Sequence, residues 1–87
     1  MIEHIILANL IENEEYSRKT LPFLKDEYFK NQPDKLAFQL IDNYVKVYNA
    51  LPTKEALYIE LQNKTGISQD TFEKTTELIF ELNADVN

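Results

Sequence analysis

Apolar residues recur at three- and four-residue intervals along most of the chain, the spacing typical of amphipathic helices. The clearest pattern predicts a helix over residues 33–49 that carries Leu36, Ala37, Leu40, Ile41, Tyr44 and Tyr48. At this spacing Tyr44 and Tyr48 are expected in the core, with their hydroxyls at its rim. Pro33 suits the first turn of such a helix, and Pro52 disfavours helix at the residue before it.

Capping residues and chain breakers predict four more helices. Residues 2–12 are apolar except for a narrow polar edge, which predicts a mostly buried helix. Asn13, Thr53 and Ser68 are the expected N-caps of the second, fourth and fifth helices, because their side-chain oxygens can accept backbone N–H groups. Gly66 is expected to terminate the fourth helix near residue 64. One face of the fifth helix is predicted to hold Phe72, Thr75, Ile79 and Leu82.

Residues 22–32 lack sustained periodicity and are predicted to form an ordered connector between the second and third helices. Its apolar anchors are expected to be Phe23, Leu24, Tyr28 and Phe29. The chain contains a single glycine, whereas sheets and hairpin turns depend on that residue. The sequence therefore predicts one all-α domain over residues 1–87, a compact bundle of about five helices joined by short loops.

The absence of cysteine limits how an 87-residue domain can be stabilised. Without disulfides or a Cys/His metal cluster, stability must come from packing or from a partner. A chain without cysteine is more typical of a reducing interior than of secretion. The first apolar run is too short to span a bilayer and lacks the basic flank of a signal peptide. A soluble, cytoplasmic protein that does not enter a membrane is expected.

The formal net charge of −6 is concentrated at the two ends of the chain. Residues 1–15 and 65–87 are both acidic, whereas residues 16–64 have a small excess of lysine and arginine. Phosphate binding needs several clustered cations, since each neutralised phosphate adds to affinity through counterion release. Direct, tight nucleic-acid binding by this chain is therefore disfavoured.

No catalytic, cofactor or metal site is predicted. His4 is the single histidine and cysteine is absent, so the ligands that transition metals prefer are missing. His4 is instead expected at the surface or at the boundary of the core. Ser17 and Ser68 have no histidine nearby in sequence to activate them as nucleophiles. Gly66 stands alone, so there is no glycine-rich loop for a phosphate group.

Three glutamates in the last predicted helix, Glu73, Glu77 and Glu81, lie four residues apart. On a helix they stack along one side, where each like-charge pair costs a few tenths of a kcal/mol. Two interpretations stay open. The row is either a solvated face of the helix, which is the more common outcome, or a docking strip for a basic partner.

The order of these segments resembles the start of DnaB-like replicative helicases, in particular their T4-type bacteriophage branch. The resemblance covers residues 2–82. It rests on Glu3-His4-Ile5-Ile6-Leu7-Ala8-Asn9-Leu10-Ile11, the turn Glu12-Asn13-Glu14-Glu15-Tyr16, Leu24-Lys25-Asp26-Glu27-Tyr28-Phe29, Leu36-Ala37-Phe38-Gln39-Leu40-Ile41 and Leu51-Pro52-Thr53-Lys54-Glu55-Ala56-Leu57.

This resemblance implies a place in a hexameric, ATP-driven motor that unwinds duplex DNA. The all-helical N-terminal domain of such helicases forms a collar that organises the ring and helps to engage primase and the helicase loader. ATP and Mg²⁺ are implied only for the separate C-terminal domain. For a phage protein, the location implied is the cytoplasm of the bacterial host.

The chain departs from that family pattern in two ways. It has no GxxxxGK[ST] motif, and it stops before the helical hairpin through which these N-terminal domains commonly pair. It is therefore either a fragment, with a non-catalytic scaffold and docking role, or a free-standing acidic helical adaptor or inhibitor. A small enzyme that uses Asp and Glu as acid and base is a third hypothesis. The isolated chain is expected to be mostly monomeric and to bind partners weakly.

Overall fold

A computed structural model describes residues 2–84, and in that range the chain forms five α-helices and no strand. The helices are α1 (Ile2–Glu12), α2 (Glu14–Thr20), α3 (Gln32–Tyr48), α4 (Lys54–Gln62) and α5 (Gln69–Glu81). Two short 3₁₀ turns, Leu21–Phe23 and Asp26–Tyr28, connect α2 to α3. The prediction of an all-α bundle is confirmed.

Side-chain caps set the start of three helices, as the sequence predicts. Asn13 Oδ1 accepts the Tyr16 N–H at 3.0 Å, Thr53 Oγ1 accepts the Ala56 N–H at 3.0 Å, and Ser68 Oγ accepts the Thr71 N–H at 3.1 Å. Each bond satisfies one of the backbone donors that a helix start leaves without an intrahelical partner. Local sequence alone therefore fixes where α2, α4 and α5 begin.

Helix α3 is the centre of the bundle and packs against α1, α4 and, most extensively, α5. Its first half supplies the buried residues Leu36, Ala37, Phe38, Leu40 and Ile41. Phe29, from the connector, stacks on Phe38 with ring centroids 5.0 Å apart and is almost fully buried. The other helices close the core with Leu7, Leu10, Leu57, Leu61, Thr75 and Ile79, together with Leu82 directly after α5.

The prediction that α1 is mostly buried is wrong for one side of the helix. Leu7, Ala8 and Leu10 are completely buried, but Ile2 and Ile5 are 67% and 42% exposed. Helix α1 packs chiefly against α2 and α3, and these cover only one side of it. An apolar sequence pattern does not show how many neighbours a helix has.

Helix α3 ends near Asn49 as predicted, but the burial of its last tyrosine differs from the prediction. Tyr48 is 56% exposed and so does not lie in the core, although its ring packs on half-buried Tyr44 at 4.5 Å. The last residue of α3 is Tyr48, and its C-cap Asn49 adopts a left-handed conformation with φ of 53°. Asparagine tolerates this conformation better than most residues, and the Asn49 side chain accepts a hydrogen bond from Arg18.

The connector is anchored by two of its four predicted residues. Phe29 is buried and Leu24 packs against the core, but Phe23 and Tyr28 are 78% and 53% exposed. Phe23 and Tyr28 are the last residues of the two 3₁₀ turns, whereas the anchors Leu24 and Phe29 directly follow these turns in extended conformation. Aromatic residues in a non-periodic segment therefore gave no indication of which rings would be buried.

Helix α4 ends earlier than predicted. Its last residue is Gln62, and the N–H of Asn63 bonds the carbonyls of Ile59 and Glu60 in a tightened final turn. Gly66 lies beyond this turn, in the loop, with φ of 77°. Glycine is favoured there because other residues rarely adopt a positive φ.

Candidate docking surface

The three glutamates of α5 form one exposed row, as the four-residue spacing predicts. Glu73, Glu77 and Glu81, called here the acidic row, are all exposed. Glu73 accepts a hydrogen bond from the Gln69 side chain at 3.0 Å. The ion pairs of the described residues do not include any member of the row, and Lys74 is paired with Asp70 instead. The row therefore presents carboxylates that no lysine or arginine neutralises within residues 2–84.

Three aromatic rings lie beside the acidic row, where α4 packs on α5. The Tyr58 ring is 6.1 Å from that of Phe72 and 5.8 Å from that of Phe80, both in tilted contact. Phe80 is 43% exposed, and Tyr58 and Phe72 are half-buried. These three residues, called here the aromatic patch, cluster without entering the core.

The aromatic patch does not follow from the sequence pattern. Periodicity predicts Phe72 on the core face, whereas Phe72 is half-buried and packs at the edge of the core, and no sequence prediction includes Phe80. A signal was present. Phe72, Thr76 and Phe80 repeat at four-residue spacing next to the buried face of α5, so they form a second, adjacent stripe.

The end of α5 is held by side chains from two other helices. Lys54, in the first turn of α4, donates hydrogen bonds to the carbonyls of Phe80 and Leu82. The Glu12 carboxylate, at the end of α1, accepts the Ala84 N–H at 3.2 Å. A cation at a helix C-terminus is favourable because the last carbonyls carry partial negative charge. These contacts fix the orientation of α5, and with it the positions of the acidic row and the aromatic patch.

A shallow cleft of about 450 Å³ lies on the other side of the acidic row, between α5 and the start of α3. His4 and Asp34 line it together with Glu77 and Glu81. The His4 Nε2 atom is hydrogen-bonded to Asp34 Oδ1 at 3.1 Å, and Asp34 is only 4% exposed. His4 is half-buried at the boundary of the core, as predicted. Its contact gives a buried carboxylate a polar partner, which is a structural role.

Residues 2–84 contain no group of three or more His, Asp or Glu side chains placed to hold a metal ion. Within the same range no helix has the length and apolar character needed to cross a membrane. The exposed face of α4 and α5, which carries the acidic row and the aromatic patch, is the candidate docking surface.

Comparison with curated proteins finds a relative in a phage. Over 65 residues, which are 75% of this chain, the sequence is 38% identical to a DnaB-like replicative helicase of Enterobacteria phage T4. This identity supports a DnaB-like relationship. The chain spans only 14% of the length of that helicase. No family model matches the chain, and no solved structure matches it.

Proposed function

We propose that this chain acts in DNA replication as the non-catalytic N-terminal domain of a phage replicative helicase. In this role it forms part of the collar of a hexameric ring and provides docking surface for primase or the helicase loader. ATP and Mg²⁺ act in a separate domain of the same motor. The proposal places the protein in the cytoplasm of the bacterial host.

The observation that carries the proposal is the 38% identity to the T4 DnaB-like replicative helicase over 65 residues. The aligned segment is three quarters of this chain but a small part of the helicase, which suits one domain of a larger protein. The all-helical fold agrees with the collar role. Among the described residues, the most distinctive surface is the acidic row with its aromatic patch, and this suits contact with protein better than contact with DNA.

Several linked copies of this domain in a ring can hold a partner tightly although each copy binds it weakly. Linked copies raise the effective concentration of a weak docking surface, so overall avidity exceeds the affinity of one copy by about 10²–10⁴. The isolated chain is therefore expected to be a monomer with weak affinity for primase or loader. Sedimentation of a stable hexamer by the 87-residue chain alone would contradict this division of roles.

The deciding experiment reads the coding sequence on both sides of the 87 codons. A continuous reading frame with a GxxxxGK[ST] motif within the next few hundred codons supports the proposal. The longer product is then expected to hydrolyse ATP and to form a hexamer, and a product without residues 1–87 should assemble poorly or recruit less primase. A stop codon directly after Asn87 would overturn the helicase assignment.

A second candidate function is a free-standing acidic adaptor or inhibitor that binds a basic protein. The observation that favours it is the exposed, unneutralised acidic row. In this case the 87-residue chain alone must bind its partner tightly. Reversing Glu73, Glu77 and Glu81 to lysine should abolish capture of a candidate basic partner. Unchanged capture by this triple variant would exclude the row as its binding site.

A further inference from the structure

We infer that the aromatic patch and the acidic row together form one docking site for a basic amphipathic helix of a partner protein. The inference rests on the proposed docking role and adds the chemistry of the partner. Two neighbouring features support it. Tyr58 of α4 contacts Phe72 and Phe80 of α5 at the surface, and beside them the acidic row presents carboxylates that no lysine or arginine neutralises within residues 2–84.

The apolar half of the site has the length of a short helical contact. Phe72 and Phe80 are eight residues apart on α5, which is about 12 Å at 1.5 Å per residue. Tyr58 contacts both rings from α4, so the patch is continuous along this distance. A helix that binds in a groove presents anchors at positions i, i+4 and i+7, which span about 10 Å. The patch therefore matches two turns of a partner helix.

The charged half of the site runs parallel to the patch and has the same length. Glu73 and Glu81 are also eight residues apart, with Glu77 between them. Glu77 lies three residues before Phe80, and Glu73 lies three residues before Thr76. Residues three apart are neighbours on a helix surface, so the acidic row lies directly beside the stripe that carries Phe72 and Phe80. A partner helix with apolar anchors on the patch would place the flanking side chains over the carboxylates. Lysine or arginine at those positions makes the surfaces complementary.

Charge also excludes other occupants of this surface. Nucleic acid and anionic lipid carry the same sign of charge as the row, so both are repelled. A second copy of this chain that docked through the same face would bring two acidic rows together. Lys54 and Lys74 do not relieve the row, since Lys54 caps the end of α5 and Lys74 is paired with Asp70. A basic protein segment is the occupant that remains.

The test uses a synthetic 18-residue helical peptide with leucine at i, i+4 and i+7 and lysine on the flanking positions. It is titrated into the ¹⁵N-labelled 87-residue chain and followed by NMR. Saturable shift changes are expected on α4 and α5, centred on Tyr58, Thr76, Glu77 and Phe80. The matched peptide with glutamate in place of lysine should not bind. Shift changes centred on the exposed end of α3, at Val47 and Tyr48, or no saturable binding, would overturn the inference.

Two pairs of variants separate specific docking from general attraction to an acidic protein. Phe80→Ala and Glu77→Lys should each weaken the lysine peptide by about tenfold, as expected for central anchors of an interface. The matched controls are Phe23→Ala and Glu27→Lys, which alter an exposed ring and an exposed carboxylate far along the chain from α5. These controls should change affinity by less than about twofold. Equal weakening by Glu27→Lys and Glu77→Lys would overturn the inference.

Folding of each variant is checked by the dispersion of its own NMR spectrum, and Phe80→Gln replaces Phe80→Ala if the latter unfolds. The outcome is independent of the helicase assignment. If the reading frame continues and its product is a hexamer, but Phe80→Ala and Glu77→Lys bind the peptide as tightly as the wild-type chain does, the docking site is wrong and the proposed function stands. A stop codon after Asn87 with weakened binding by these variants does the reverse.

Discussion

Two groups of aromatic rings in this protein have similar chemistry and different surroundings. Phe29 and Phe38 stack 5.0 Å apart inside the bundle and are 1% and 3% exposed. The ring centroid of Tyr58 lies 6.1 Å from that of Phe72 and 5.8 Å from that of Phe80, but this group remains at the surface, where the exposed fraction of Phe80 is 43%. The first group contributes to folding through buried area. The second keeps part of its apolar area in water, where a partner can cover it.

The largest expected effect is the loss of stability when the buried stack is broken. Phe29→Ala should lower the free energy of unfolding by about 3–5 kcal/mol, because it removes a large buried side chain and leaves a cavity. A domain of this size has only about 4–13 kcal/mol of stability in total. Urea denaturation followed by circular dichroism measures the loss. Phe80→Ala is the matched control and should cost about 1 kcal/mol or less. Equal costs at the two positions would remove the distinction between the groups.

Loss of the His4–Asp34 hydrogen bond should cause the next largest decrease in stability. His4→Ala removes the hydrogen-bond partner of a nearly buried carboxylate, and the expected loss of stability is about 1–3 kcal/mol. The double variant His4→Ala/Asp34→Ala should be less destabilised than the two single changes predict together, because no carboxylate is left without a partner. The same denaturation assay measures all three variants. Simple additivity would show that the contact does not contribute.

Loss of the lysine that caps α5 should have a smaller effect. Lys54→Met keeps most of the side-chain volume but removes the hydrogen bonds to the carbonyls of Phe80 and Leu82. The expected destabilisation is about 1 kcal/mol, and NMR amide exchange should speed up most in the last turn of α5. Lys46→Met is the control, since its exposed ion pair with Asp42 should contribute less than about 0.5 kcal/mol. A larger loss for Lys46→Met would contradict the assigned role of Lys54.

The smallest expected change in stability is a gain, in contrast to the losses above. Glu77→Gln removes the repulsion of Glu77 by Glu73 and by Glu81, and should raise the free energy of unfolding by about 0.2–0.5 kcal/mol for each of the two pairs. The same change should weaken binding of the lysine peptide. Glu27→Gln, at an exposed position outside the acidic row, is the control for both measurements. Loss of stability in Glu77→Gln would show that the carboxylate has a structural role.

Features set by neighbours in sequence could be predicted. The caps Asn13, Thr53 and Ser68 act on residues three positions along the chain, so local spacing is enough to identify them. The exposure of the acidic row follows in the same way from its four-residue spacing. Burial of a ring depends instead on which distant element covers it. This is why Phe29 was correctly expected to be an anchor, whereas Tyr48, Phe23 and Tyr28 were expected to be more buried than they are.

One half of the candidate site could be predicted from the sequence and the other half could not. The acidic row lies on one helix and is visible in the sequence, but the aromatic patch needs α4 and α5 side by side before Tyr58 can contact Phe72 and Phe80. Phe72 also lies between the buried and exposed faces of α5, where periodicity does not decide burial. Pairing of helices is a tertiary property, and this part of the site therefore required the structure.

The contacts at the end of α5 have a mechanical consequence. Leu82 is held by Lys54 of α4, and Ala84 is held by Glu12 of α1, 72 residues earlier in the chain. Tension applied to the chain beyond Ala84 is therefore shared among α1, α4 and α5, and the last turn of α5 does not bear it alone. If the domain is attached to a moving ring, this sharing of load resists the unwinding of its helices one at a time.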